Sequence, residues 1–145
     1  MTTGRCACGG VSYEICGPLR DVIACHCEQC RRTSGHFVAA TATHRDNLTL
    51  RNQDCLKWYV AMHGYRRGFC DNCGSSLFFE KIGQPRISVA AGTLDSTVGL
   101  QLCAHIFTDE AGCYYDIGHA VPTSGGAEAT PSFLASHYIA PHKFD

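Results

Sequence analysis

Hydrophobic positions recur along the chain in short segments that alternate in polarity or are rich in β-branched and aromatic residues. The segment 11–15, for example, is apolar at Val11, Tyr13 and Ile15. A period of two is typical of a strand with one buried face. The same reasoning predicts strands at 37–43, 48–51, 56–62, 76–80, 86–90, 100–107 and 114–117.

Turn signals separate these segments, and helical periodicity is scarce. Glycine and proline mark turns at Gly9-Gly10, Gly17-Pro18 and His63-Gly64, among others. No stretch of about eleven residues or more has apolar positions at helical spacing. We expect about one helical turn after Cys27, over residues 28–33. The sequence therefore predicts a mainly β fold of many short antiparallel strands.

Length, composition and charge narrow the class of protein. A chain of 145 residues with 45% hydrophobic and 17% charged residues fits one globular domain. We expect this domain at residues 1–120, followed by a C-terminal extension at 121–145 that is packed or partly flexible. The formal net charge of −1 lacks the basic excess of a nucleic-acid-binding protein. No membrane-spanning or signal segment is recognisable, so we expect a cytoplasmic protein without a membrane partner.

Cysteine is the unusual residue of this chain. An odd count of eleven argues against a complete disulfide framework. In a reducing compartment, clustered cysteines favour metal binding over buried free thiols, and a redox Cys-x-x-Cys would need a βαβ context that is not predicted. Seven of the eleven lie in three tight groups: Cys6-Ala-Cys8, Cys25-His-Cys27-Glu-Gln-Cys30 and Cys70-Asp-Asn-Cys73.

The seven clustered cysteines divide naturally into a set of four and a set of three. The four-cysteine set is Cys6, Cys8, Cys70 and Cys73, and the three-cysteine set is Cys25, Cys27 and Cys30. Four thiolates close a structural zinc site, whereas three protein ligands with one open position are typical of a catalytic zinc. Spacing leaves two alternatives open. A scattered cysteine could close the second site, or the first pair could share a metal with part of the middle group.

Three cysteine-bearing segments, at 4–13, 25–35 and 69–78, resemble the glutathione-dependent formaldehyde-activating enzyme family, which also contains centromere protein V. The resemblance extends from about residue 4 to about residue 117. It implies a mainly β, tent-like arrangement of short antiparallel sheets. It also implies a structural zinc at the four-cysteine set and a catalytic zinc at the three-cysteine set, two ions in all.

The resemblance implies a zinc-dependent carbon–sulfur lyase similar to S-(hydroxymethyl)glutathione synthase, which adds the thiol of glutathione to formaldehyde. Arg31 and Arg32 directly follow the three-cysteine set, and arginine binds carboxylates such as those of glutathione in bidentate fashion. They could equally screen the zinc centres or pair with Glu28. Two alternative functions remain: a related zinc enzyme for another aldehyde or thiol adduct, and a non-catalytic zinc-binding module. A homodimer is compatible with either function.

The sequence departs from the family pattern near the expected pocket. Residues 113–115 (Cys-Tyr-Tyr) stand where the family often has a tryptophan, and His36 stands where a small residue is expected. His26 lies between two predicted ligands, and alternation along the segment should point its side chain elsewhere. Whether His36 or His105 lines the pocket is left open by the sequence.

Overall fold

Ten short strands, one short α-helix and four single-turn 3-10 helices make up the computed structural model, which describes residues 1–127. The only α-helix of this part of the chain, α1, spans Glu28–Ser34. The strands are β1 Thr2–Arg5, β2 Ser12–Ile15, β3 Arg20–Cys25, β4 Val38–His44, β5 Leu48–Asn52, β6 Leu56–Val60, β7 Tyr65–Cys70, β8 Ser76–Lys81, β9 Arg86–Ala90 and β10 Leu102–Ile106. The predicted mainly β class is confirmed.

The strands form two sheets, a small one and a large one. The small sheet has the order β1-β2-β5, and the large sheet has the order β10-β3-β4-β9-β8-β7-β6. Within residues 1–127 every strand pair is antiparallel except β10 with β3, which run parallel. The expectation of antiparallel strands throughout was therefore wrong at this edge. A long crossover through the rest of the fold connects the two strands, so no hairpin imposes an antiparallel pairing.

Strands with a clear apolar pattern were predicted correctly, whereas three strands were missed and one predicted strand is not formed. The missed strands are β1, β3 and β7, whose polar residues interrupt the alternation. The segment predicted as a strand at 114–117 forms a turn instead. Tyr114 and Tyr115 have the aromatic side chains favoured in strands, but here they pack against histidines as part of a loop.

The main core lies between the small sheet and one face of the large sheet. Tyr13 is buried here, and its ring meets Phe78 edge to face with the ring centroids 5.1 Å apart. Its hydroxyl hydrogen-bonds with Thr93 Oγ1 at 2.7 Å. Burial raises the pKa of Tyr13 to about 12, so the phenol stays neutral. The other fully buried members of the cluster include Val11, Ile15, Leu77, Ile87 and Val89.

The segment after the loop at 111–121 returns to the edge of the large sheet. His105 N donates to Pro122 O at 2.9 Å, and Ser124 N donates to His105 O at 2.9 Å. The predicted extension thus begins with a stretch hydrogen-bonded to β10, and its residues 128–145 lie outside the described residues. No helix in residues 1–127 is long and apolar enough to cross a membrane.

Gly4 tests the close packing of β1 against the core. A Cβ at this position would lie 2.3 Å from the Tyr13 hydroxyl and 2.6 Å from the carbonyl oxygen of Thr93. We expect Gly4→Ala to lower the free energy of unfolding by about 1–3 kcal/mol through overpacking, measured by urea denaturation. Gly92→Ala is the matched control, because its Cβ would meet nothing within 4 Å and its φ is not left-handed. Equal denaturation midpoints for the two variants would contradict this packing.

Candidate metal centres

The four-cysteine set converges from two distant parts of the sequence. The Sγ atoms of Cys6 and Cys8 lie 3.6 Å apart, and those of Cys8 and Cys70 lie 3.7 Å apart. All four sulfurs lie within 4.8 Å of one another. Zinc–sulfur bonds of about 2.3 Å in a tetrahedron place the sulfurs about 3.8 Å apart. The donor set and its spacing therefore fit one tetrahedral metal ion.

Two tight turns aim these sulfurs at a common point. In the first turn, Val11 N donates to Cys6 Sγ at 3.2 Å. The second turn carries Gly74 with a φ of 75°, a left-handed conformation that glycine adopts without steric cost. The hydroxyl of Ser75 lies 3.2 Å from Cys73 Sγ, and this hydrogen bond is the largest cause that lowers the pKa of Cys73 to about 5. These polar contacts stabilise thiolate sulfur, the form that binds metal.

A fifth cysteine, Cys55, borders the four-cysteine set. Its backbone N donates to Gly10 O at 3.2 Å, and its carbonyl accepts from Asp71 N at 2.9 Å. Cys55 thus ties the two metal-binding turns together through its backbone. The sequence alone does not place Cys55 beside this set, because nothing in the chain spacing relates position 55 to positions 8 and 70.

The three-cysteine set is built by the junction of a strand and a helix. Cys25 is the last residue of β3, Cys27 is the N-cap of α1, and Cys30 lies in the first turn of that helix. The Cys30 N–H donates to Cys27 Sγ at 3.4 Å, so a sulfur takes the usual capping role of a hydroxyl. The three sulfurs lie within 4.8 Å of one another, and the set could hold a metal ion.

The three thiols share their protons unequally. Hydrogen bonds from Cys25 and then from Cys30 lower the pKa of Cys27 to about 2. Hydrogen bonds with Cys27 and then with Cys30 raise the pKa of Cys25. Close contact between the sulfurs therefore favours the thiolate at Cys27 and disfavours it at Cys25.

Within residues 1–127, no fourth histidine, cysteine or carboxylate joins the three-cysteine set. The scattered cysteine that could have closed this site is not found there, and Cys55 borders the other set. A metal at the three-cysteine set would retain one coordination position for another ligand, whereas the four-cysteine set fills a tetrahedron.

His26 points away from the three sulfurs and is fully buried. Its Nδ1 hydrogen-bonds with the Tyr115 hydroxyl at 2.5 Å, and its Nε2 with Nδ1 of His105 at 2.8 Å. Burial lowers the pKa of His26, and the charges of His105 and His36 lower it further. A neutral imidazole bonded through both nitrogens holds the backbone between Cys25 and Cys27 in place.

Aromatic side chains from the loop at 111–121 cover this region. The Tyr114 hydroxyl hydrogen-bonds with His36 Nδ1 at 2.5 Å, and the ring of Tyr115 meets that of His36 edge to face at 4.6 Å. Of the two histidines left open by the sequence, His36 is half-buried in this aromatic cluster, and His105 is buried behind His26. Tyr114 and Tyr115 belong to the departure from the family pattern described above. Their pairing with histidines far away in the chain cannot be read from the sequence.

Three arginines lie near the three-cysteine set. Arg32 forms an exposed ion pair with Glu28 at 2.8 Å, one of the alternatives considered above. Arg31 differs, because its Nε is buried and has no hydrogen-bond partner in residues 1–127. Arg67, from β7, has a charge that contributes to the low pKa of Cys27, after the hydrogen bonds from Cys25 and Cys30. Substrate binding by Arg31 and Arg32 stays a prediction.

Comparisons with known proteins agree with the cysteine pattern. The profile of the family described as glutathione-dependent formaldehyde-activating enzyme matches residues 1–110. A Schizosaccharomyces pombe protein named as an uncharacterized lyase is 31% identical over 77 residues, which are 52% of this chain. These residues cover 55% of that relative, so the chain spans about half its length.

A structural comparison supports the fold. A Rhodobacter sphaeroides protein with a known crystal structure matches 83% of this chain and 98% of its own, with a TM-score of 0.54. The sequence identity is 23%, so this likeness shows the fold alone.

Tyr115 tests the hydrogen-bonded support of the three-cysteine set. Tyr115→Phe removes the partner of a buried imidazole nitrogen, so we expect unfolding to become easier by about 1–3 kcal/mol. The matched control is Tyr114→Phe, which loses a bond at a side chain that is 65% exposed and should cost about 1 kcal/mol or less. Urea denaturation of both variants gives the comparison. A larger loss for Tyr114→Phe would refute the supporting role of Tyr115.

Proposed function

Because the chain belongs to the glutathione-dependent formaldehyde-activating enzyme family, we propose that it is a zinc-dependent carbon–sulfur lyase that joins glutathione to formaldehyde. The thiolate sulfur attacks the carbonyl carbon, a C–S bond forms and the C=O π bond breaks. The oxygen gains a proton, and the product is S-hydroxymethylglutathione. The reaction needs no oxidant or reductant.

The observation that carries this proposal is the three-cysteine set without a fourth protein ligand in residues 1–127. Its thiolate donors and their spacing suit zinc. When bound there, zinc supplies a position at which an incoming thiol loses its proton readily. The four-cysteine set, whose tetrahedron is complete, has the structural role.

The chain's own residues prepare this position. The N-terminal turn of α1 holds Cys27 and Cys30 together, and the backbone N–H of Cys30 stabilises negative charge on Cys27 Sγ. The positive charge of Arg67 lies close enough to act on both thiols. His26 is hydrogen-bonded through both ring nitrogens. These bonds fix the backbone conformation between Cys25 and Cys27.

Arg31 is the better candidate of the two arginines for holding a carboxylate of glutathione. Its buried Nε lacks a partner in the described part of the chain, and an unpaired buried donor is costly unless a ligand satisfies it. Arg32 already has a carboxylate partner in Glu28. Formaldehyde is unhindered and strongly electrophilic, so binding and positioning of the thiol suffice without a dedicated general base.

Cys27→Ser tests the proposed reaction. We expect the rate of S-hydroxymethylglutathione formation, followed by NMR exchange spectroscopy at equilibrium, to fall to the uncatalysed rate. Zinc content should fall from about two ions to about one per chain, because only one set loses a ligand. Cys16→Ser is the matched control, since Cys16 is exposed and belongs to neither set.

Two outcomes would contradict the proposal. If wild-type protein and Cys27→Ser both react at the uncatalysed rate, the protein is a binding module and not an enzyme. If Cys27→Ser keeps the wild-type rate, the three-cysteine set does not perform the reaction.

A further inference from the structure

A cavity of about 380 Å³ lies on the face of the large sheet that is turned away from the main core. This volume falls within the range of small-molecule binding sites, about 300–1,000 Å³. Its lining includes Val38, Ala40, Arg67, Phe79, Ser88 and Ala90. Formaldehyde, a molecule with two heavy atoms, does not require a space of this size.

Strand register shows that the cavity and the three-cysteine set share one face of the sheet. Cys25 pairs with Val38 across β3 and β4, and paired residues in an antiparallel ladder point to the same side. Ala40, two residues after Val38, pairs in turn with Ala90 of β9. The side chain of Cys25 therefore emerges on the face that forms the cavity floor.

The floor of the cavity is mostly apolar, and its small side chains leave space above the sheet. Ala40, Ala90 and Ser88 form its centre, and Phe79 continues it beyond Ser88, with which it pairs. Residues that alternate with Ser88 along β9, namely Ile87 and Val89, point to the opposite face and fill the main core. The cavity is therefore a consequence of small residues at alternate positions and is not a gap left by poor packing.

Arg67 is the cationic residue of the lining. Its guanidinium lies 4.6 Å from the centroid of the Phe79 ring and donates to Gln29 Oε1 at 3.4 Å. In residues 1–127 it forms no ion pair with a carboxylate. Thr33 of α1 also lines the cavity. The cavity is thus continuous with the helix that carries the three-cysteine set, and a charged residue stands between the apolar floor and the thiols.

We propose that this cavity binds the apolar group of aldehydes larger than formaldehyde, so that the site accepts aliphatic or aromatic aldehydes in addition to formaldehyde. This inference rests on the proposed function for the thiol partner and adds the class of aldehyde. The bond changes are those of the formaldehyde reaction: sulfur bonds to the carbonyl carbon, the C=O π bond breaks, and the oxygen takes a proton. The apolar group is buried on Val38, Ala40, Ala90 and Phe79 while the carbonyl faces the thiols.

A small molecule fits this surface better than a second protein chain. The surface is concave, and alanine and serine set its floor back, although the exposed Tyr59 also belongs to its lining. Its lining includes Thr33 of α1 and Val38, the strand partner of Cys25, so an occupant would lie near the three-cysteine set. A second copy seated on this face remains a defined outcome of the test.

Binding of two unreactive product analogues tests the proposal. S-hexylglutathione carries an apolar chain on sulfur, and S-methylglutathione carries only a methyl group. We expect calorimetry with the zinc-loaded protein to give at least about tenfold tighter binding of the hexyl compound, because each buried methylene adds favourable transfer free energy. Ala90→Leu, which fills the cavity floor, should reduce this preference severalfold. Ala120→Leu is the control, since Ala120 is exposed and does not line the cavity.

A probe without glutathione separates this proposal from the proposed function. We expect 1-hexanol to shift the backbone NMR signals of Ala40, Ser88 and Ala90 in the wild-type protein and not in Ala90→Leu. No shift with hexanol, or equal affinity for the two analogues, would overturn the cavity proposal and leave the formaldehyde reaction standing. Hexanol binding without binding of either analogue would instead count against glutathione as the thiol.

The oligomeric state gives the last outcome. We expect sedimentation of wild-type protein and Ala90→Leu to give the same molecular mass. A wild-type dimer that dissociates in Ala90→Leu would assign this face to a second copy of the chain and overturn the proposal.

Discussion

The close approach of cysteine sulfurs is the constraint on which the structure depends. In the four-cysteine set two pairs of sulfurs lie 3.6 and 3.7 Å apart, and within each set all sulfurs lie within 4.8 Å of one another. Several thiolates at such distances repel each other, so each set favours the folded chain only when protons or a cation offset that repulsion. For the same reason the pKa of Cys27 is lowered while that of the neighbouring Cys25 is raised. A metal ion bound at either set would therefore stabilise the folded chain.

The two sets meet this constraint in different ways, and under the proposed function this difference separates a structural site from a catalytic one. The four-cysteine set joins two turns that are far apart in sequence, and Cys55 ties them together through its backbone. The three-cysteine set comes from one short segment at the end of β3 and the start of α1. In residues 1–127 no fourth ligand joins this set, and His26, which lies in the same segment, is engaged by Tyr115 and His105. A metal ion held by this set would keep an open position for this reason.

Sequence reasoning reached the cysteine sets because ligand spacing is local, and it reached most strands because alternation is local as well. It could not find β3 from the polar Arg20 and Asp21, nor the parallel pairing of β10 with β3, because both depend on contacts distant in sequence. The partners of His26 and the position of Cys55 were missed for the same reason. The cavity was also invisible, since alanine and serine at alternate strand positions carry no chemical signal until the register is known.

Cadmium-113 NMR of the cadmium-substituted protein tests the central claim most directly, because the chemical shift reports the number of sulfur ligands. The account predicts two resonances, one typical of four sulfurs and one of three sulfurs with a lighter atom. Addition of glutathione should shift only the second resonance, and Cys27→Ser should alter it while leaving the first unchanged. Two resonances that both report four sulfurs and ignore glutathione would contradict the account, because the proposed reaction would then have no open site.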